Sequence, residues 1–450
     1  MKPITLIVFY TAIASILTKH VFAQNQQFSL QQAIEYAVQN HSSVQNAKLD
    51  QQSARGRVGE VRAMGLPQVN AFVNITDNYK IMSQFIPANV FVQQAPPDLI
   101  VPVAFGVRHT GMAGISIQQL LFDGTFFLGL KAAKVYTELA DKSLIKTKID
   151  VAANVTKAYY GVLVTEAQLQ MLKINEARLD TLFYQTKVLY QQGFAEKLDV
   201  DRLQVQVNNL KQQILHTERT YELSKMLLAF QMGLPDATEP IVLTTKLDEI
   251  QLNIDSLNEG HFSVTDRIEY QQLEVQRKLN RMNIKRLNVG YLPTFYLTGT
   301  PLGYNVGGRE YDIYFDKWHR FGNITLSISM PLFDGLRKKY MVQQARMELY
   351  KIENFQKELK RSFALEQNQA IRNLQSALEQ LQIQRENMEL AREVMRVAKA
   401  KYEQGVGSSL EIIEAETSYK NAETNYFSAL YNALIAKTDY EKAFGKIKVE

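Results

Sequence analysis

Cysteine is absent, tryptophan occurs once, and proline makes up only 11 of 450 residues. Without cysteine there is no disulfide framework and no thiolate-bound metal, so stability must come from packing and association. The histidines are scattered, and no His-Glu-x-x-His arrangement marks a metal centre. No nucleophile, base or metal set stands out, so the chain reads as a non-enzyme without a cofactor. Gly303 to Gly308 lacks the strand-to-helix setting of a dinucleotide loop, and its glycines read as a hairpin loop. A net charge of +5 with no dominant basic block argues against a nucleic acid partner. After the first residues there is no apolar run of about 18 residues, so no spanning helix is expected. If the chain enters a membrane, it must do so as a closed β-barrel.

The opening residues have the make-up of an export signal, assigned to residues 1–23. Lys2 supplies the positive start, Ile4 to Leu17 is mainly apolar, and Val21-Phe22-Ala23 ends on a small residue. A mature chain is expected to begin near Gln24. The absence of cysteine after the cut excludes an acylated amino terminus.

What is abundant is repetition. Leu121-Phe122-Asp123-Gly124 returns as Leu332-Phe333-Asp334-Gly335, 211 residues later. Each copy follows alternating sequence and precedes a long helical pattern, making Asp123, Gly124, Asp334 and Gly335 strand-to-helix junctions. Tyr190-Gln191-Gln192-Gly193 returns as Tyr402-Glu403-Gln404-Gly405, and Gly233 as Gly445, each 212 residues apart. Such a period sets the architecture. The expected organisation is a first repeat over 24–235, a connector over 236–260 without strong periodicity, and a second repeat over 261–450.

Helical spacing covers about 29–65, with Ser29 as N-cap and Gly65 and Pro67 as stops. Leu292-Pro293 ends the matching helix of the second half. From Phe127 to Gln192 the helical pattern persists for some 65 residues, roughly 100 Å at about 1.5 Å per residue. A helix of that length is a coiled-coil element or a projecting shaft. Helices over about 197–232, to about 404, and to about 444 complete the set. Alternation marks four strands: 68–78, with Phe72 as an apolar exception on the polar side, 111–119, 294–300 and 323–330. Residues 80–108 read as a long loop, and Tyr304, Tyr311, Tyr314, Trp318 and Phe321 fall in a second, aromatic loop.

Four strands cannot close a barrel, since membrane barrels use about eight or more, and lipid does not tolerate open edges. Three copies related by rotation would supply twelve strands and gather the helical shafts into a tube.

The duplicated Pro-strand-loop-strand-Leu-Phe-Asp-Gly units, the two Tyr-x-x-Gly breaks and the export signal resemble the TolC-like outer membrane efflux proteins over nearly all of the mature chain. The resemblance implies a homotrimer: a twelve-stranded β-barrel in the outer membrane of a Gram-negative bacterium, continued by an α-helical barrel in the periplasm. It implies a passive exit channel for efflux or type I secretion, opened at its helix tips by a periplasmic adaptor and an inner membrane transporter. Counting from Gly405, the acidic gate positions fall on Glu411 and Glu414, with Asp199 at the matching place in the first half. Tyr402 matches a tyrosine that holds the closed tips by hydrogen bonding. Gly193, Phe194, Gly405, Val406 and Gly407 form the tips that would meet the adaptor. Gly407 stands where the family often has an arginine, so the usual arginine-to-aspartate lock cannot form. The competing reading is an exported coiled-coil structural protein of the periplasm or surface, which explains the helices but leaves the four strands without a role.

Overall fold

The computed structural model describes residues 26–96, 98–238, 240–247, 250, 263–310, 314–315 and 317–449. The export signal, Tyr311 and most of the second half of the 236–260 connector lie outside these residues. Chain order is β1 (Gln26–Phe28), α1 (Leu30–Asn40), α2 (Ser42–Ala63), β2 (Gln68–Asp77), β3 (Ser83–Pro87), β4 (Ile100–Ala104), β5 (His109–Phe122), α3 (Gly124–Gln191) and α4 (Lys197–Met232). There follow β6 (Ile241–Leu243), α5 (Ile268–Val289), β7 (Thr294–Gly308), β8 (His319–Ser329), α6 (Arg337–Glu403) and α7 (Ser409–Ala443).

Two units share these elements. The first contains the described residues of 26–51, 140–273 and 354–449; the second contains those of 52–139 and 274–353. In the first unit, β1 pairs in parallel with β6. Beside this pair, Ala33 and Ala37 of α1, Val155 and Tyr159 of α3, Leu228 and Met232 of α4, and Leu434 of α7 form one fully buried cluster. The Tyr159 hydroxyl donates to the Phe28 carbonyl at 3.0 Å and accepts from Thr245 N–H at 3.4 Å, tying α3 to the small sheet. Arg267 is a second anchor. Its guanidinium is buried, stacks over Phe363, pairs with Glu269 and Glu366, and donates to the Ala443 carbonyl at 2.8 Å. It thus satisfies a carbonyl left open at the end of α7.

The second unit is built on a four-stranded antiparallel sheet in the order β2-β5-β7-β8. The alternation expected from sequence is present, with its apolar side uncovered. Val69, Val73 and Ile75 on β2 and Ile324, Leu326 and Ile328 on β8 are all well over half or about half exposed. β2 and β8 each have one edge without a partner in the sheet.

Several boundaries differ from the sequence reading. The single helix expected over 29–65 is two, because His41 adopts an extended backbone and its ring Nδ1 accepts from Ser43 N–H. The 80–108 loop contains the antiparallel pair β3 and β4. Gly303 to Gly308 are not a loop; they extend β7 and pair with β5 down to Gly308 opposite His109. Tyr304 and Phe321 therefore lie in strands. β1 and β6 are too short, at 3 residues each, to show a period.

The two Leu-Phe-Asp-Gly copies also differ in backbone. In the first, α3 starts at Gly124 directly after Asp123, whose carboxylate accepts from both Thr125 N–H and its hydroxyl at 2.7 Å. A Cβ on Gly124 would meet Val289 at 2.1 Å, so glycine permits close packing on α5. In the second, Gly335 and Leu336 are both left-handed, with φ of 66° and 67°, before α6 begins. Asp334 accepts from Lys338 N–H at 3.2 Å.

Gly233, left-handed at φ 77°, ends α4 with its Cα against the His41 backbone. A Cβ there would lie 2.8 Å from His41 Cα, whereas one on the equally left-handed Gly405 meets nothing within 4 Å. Gly405→Ala should cost only the left-handed strain of about 1–2 kcal/mol. Gly233→Ala should cost more, seen as a larger drop in the thermal unfolding midpoint of the detergent-solubilised protein.

Candidate pore surface and helix tips

Both long hairpins turn the same way. Gly193 N–H donates to the Tyr190 carbonyl at 3.0 Å and Phe194 N–H to Leu189 at 2.8 Å; Gly405 N–H donates to Tyr402 and Val406 N–H to Lys401, both at 3.0 Å. This paired closure uses a left-handed residue just after the helix, where glycine carries no Cβ penalty. Gly193 has φ 83° and Gly405 φ 75°. The chain then extends for a few residues and restarts on a cap. At α4 the Asp199 carboxylate accepts from Glu196 N–H at 3.3 Å, and at α7 the Ser408 hydroxyl accepts from Glu411 N–H at 3.1 Å. Phe194 and Val406 project from the two turns, 81% and 77% exposed. Gly407 N–H folds back onto the Lys401 carbonyl at 3.1 Å.

The structure brings some expected residues together and separates others. Asp199 bonds to the Ser409 hydroxyl, linking the first tip to the second. It also lies 4.0 Å from Arg202 of its own helix. The Tyr402 hydroxyl and Thr186 Oγ1 are 2.9 Å apart, a second link between hairpins. Glu411 is exposed and paired with Lys401 Nζ at 3.1 Å. Glu414 is exposed one turn further and forms no salt bridge with a described residue.

A cluster not foreseen from sequence lies between α3 and α7. Arg178 pairs with Glu416 at 2.9 Å and stacks over the Tyr419 ring, 5.1 Å from its centroid. Asn175 donates to Glu423 at 2.5 Å. Burial pushes the carboxyls of both Glu416 and Glu423 upward, against the opposing pull of Arg178. Burial, with Glu423 beside it, pushes the Tyr419 hydroxyl up to about 12. The available signal was the seam of α3: Leu172, Asn175, Leu179, Leu182 and Thr186 recur at alternating spacings of three and four and are all buried. Polar residues on such a seam fix register at a cost in stability.

Among the described residues, no group of histidine, aspartate and glutamate could hold a metal ion. Among the described residues, no helix is long and apolar enough to cross a membrane. A sheet with two open edges enters lipid only when other strands close it. The open sheet and the long helical hairpins fit a membrane protein built from strands and helices.

Comparison with known proteins places it further. Residues 33–233 and 267–446 match the outer membrane efflux protein family, and the chain belongs to that family. It is an outer membrane efflux channel, and the family is one of channels rather than enzymes. It is 21% identical over 450 residues to outer membrane protein TolC of Vibrio cholerae, covering 98% of this chain and 94% of that one. Two solved structures share the fold. One is a membrane protein from Pseudomonas aeruginosa, with TM-score 0.71, 18% identity, and coverage of 92% of this chain and 93% of that one. The other is the outer membrane protein VceC of Vibrio cholerae, with TM-score 0.68, 16% identity, and coverage of 92% and 96%.

The raised carboxyls generate a pH dependence. A carboxyl lifted above its ordinary value of 4.5 favours the fold when protonated. That contribution is complete below 4.5 and is lost as pH rises through the lifted value. Glu423→Gln should therefore gain stability relative to the parent as pH goes from acidic to neutral. Thermal midpoints of parent and variant across that range provide the check, and parallel profiles would count against it.

Proposed function

We propose that the chain is the outer membrane duct of a tripartite efflux or type I secretion system, working as a homotrimer whose periplasmic helix tips are opened by an adaptor and an inner membrane transporter. The observation that carries this reading is the four-stranded sheet with two unpartnered edges and uncovered apolar side chains. Three such sheets, edge to edge, give twelve strands, a number within the range of closed membrane barrels. Exposed apolar stripes support the same association along the helices. Leu223, Leu227 and Phe230 on α4 and Leu390, Val394 and Val397 on α6 recur at spacings of three and four and are all exposed in the single chain. In a ring, each stripe meets a neighbouring copy.

On this reading the chain is two efflux repeats, 24–235 and 261–450, joined by a belt segment over 236–260 after an export signal at 1–23. The hairpins α3–α4 and α6–α7 form the periplasmic shaft. Phe194 and Val406, apolar and exposed at the turns, are the surfaces an adaptor would cover. Glu411 and Glu414, three residues apart on one helix face, would become rings of carboxylates in a trimer, and such rings favour cations. The Asp199–Ser409 and Tyr402–Thr186 bonds hold the two hairpins of one chain together near the tips. They stand in place of the lock that Gly407 precludes. Opening is a hinge of one hairpin against the other that parts these bonds.

Two measurements test the proposal. The detergent-solubilised protein should have three times the chain mass, and a stable monomer would sink the barrel. In planar bilayers, Glu411→Ala/Glu414→Ala should raise conductance and weaken cation preference. Unchanged currents would remove those residues from the gate while leaving the trimer standing.

A further inference from the structure

The polar face of the sheet carries a row of two phenylalanines and two glycines. In the strand register, Phe72 of β2 faces Gly114 of β5, Gly114 faces Gly303 of β7, and Gly303 faces Phe321 of β8. Directly paired residues of antiparallel strands point to the same side, so all four belong to one face. That face is otherwise mostly amides and hydroxyls, among them Asn70, Asn74, Ser116, Gln118, Thr325 and Ser327, with Met112 and His319 beside the row on its loop side. Among the described strand residues, none on this face is an acid, a lysine or an arginine; Asp77 and Arg320 point to the other side.

The two glycines are hollows. A Cβ on Gly303 would lie 2.6 to 2.9 Å from three carbons of the Phe321 ring, and one on Gly114 would lie 3.1 Å from Phe72 Cζ. Each ring therefore occupies the space that a side chain on the neighbouring strand would take. Exposure agrees. Phe72 is the one residue of β2, and Phe321 the one residue of β8, that is half-buried rather than exposed. Both rings lie folded over the sheet rather than standing out from it.

We propose that Gly303 and Gly114 are width-determining residues of the duct: they let Phe321 and Phe72 lie flat against the wall, leaving an open passage with a narrow aromatic belt. The inference rests on the reading that the polar face lines the passage. Two rings per chain make six around a ring of three copies, so their posture sets the bore at this level. The belt offers flat aromatic surface to apolar or aromatic parts of a passing solute, and its own four residues carry no charge.

Gly303→Ala is the direct test. The atoms that it would strike belong to the end of the Phe321 side chain, which can swing away into the lumen. At Gly114 the obstruction includes the Leu302 carbonyl, 2.7 Å away, so alanine there would strain the backbone as well. Because the chain has no cysteine, a single introduced thiol reports alone. Thr325→Cys lies on the helix-junction side of the belt, and Asn74→Cys on the loop side. Intact cells are treated from outside with membrane-impermeant maleimides of increasing size.

Gly303→Ala should slow labelling of Thr325→Cys by the larger reagents several-fold and leave Asn74→Cys unchanged. Adding Phe321→Ala should restore the rate. Equal labelling with and without Gly303→Ala overturns the inference, as does slowing that Phe321→Ala fails to relieve. If the smallest reagent labels neither thiol in the otherwise unaltered protein, the polar face does not line an open passage, and the duct reading fails with it.

Discussion

A peptide N–H or C=O in hydrocarbon has no water to bond, and leaving one unpaired costs several kcal/mol. That constraint governs this chain. Its four-stranded sheet satisfies its interior and leaves one side of β2 and one side of β8 open. The same two strands display valine, isoleucine and leucine to the outside. A sheet in this condition is unstable in water because of its faces and in lipid because of its edges. Closure with further copies removes both problems. The exposed stripes on α4 and α6 are the helical counterpart of the same incompleteness.

The helical unit answers a different demand. Its hairpins must be long, yet their register must be definite. Leucine at every seam position would bind the helices firmly without fixing how far one has slid along another. Asn175 and Thr186 on the α3 seam, with Arg178, Glu416 and Glu423 nearby, accept a lower stability for a single alignment. Buried carboxyls pushed upward are a consequence, since the polar contacts that specify register are made where water is scarce.

Much of this was legible beforehand. The 211- and 212-residue spacings located both junctions and both tips, because turn glycines and stop residues act locally and leave their mark in sequence. Long helices were equally plain, and α4 has the expected limits of Lys197 and Met232. What was missed depends on partners distant in sequence. β1 and β6 are three-residue strands whose existence depends on each other. Gly303 to Gly308 resembled a loop because glycine is a poor strand former, and only their pairing with β5 makes them one. Phe72 was visible as a breach of alternation. Its reason, the hollow at Gly114, appears only once the register is known. The Asp199–Ser409 bond was likewise hidden, since serine is common after a turn and nothing in the string joins positions 210 apart.

The unlike backbones of the two Leu-Phe-Asp-Gly copies bear on symmetry. Three copies of a twice-repeated chain would surround their axis with six staves, and matching junction backbones would let all six leave the sheet alike. The consecutive left-handed residues Gly335 and Leu336 occur in one repeat alone. In the proposed ring the six thus sort into two alternating sets of three. A tube of interchangeable staves can only dilate as a whole; one with two kinds can hold its circumference with one set while the other tilts.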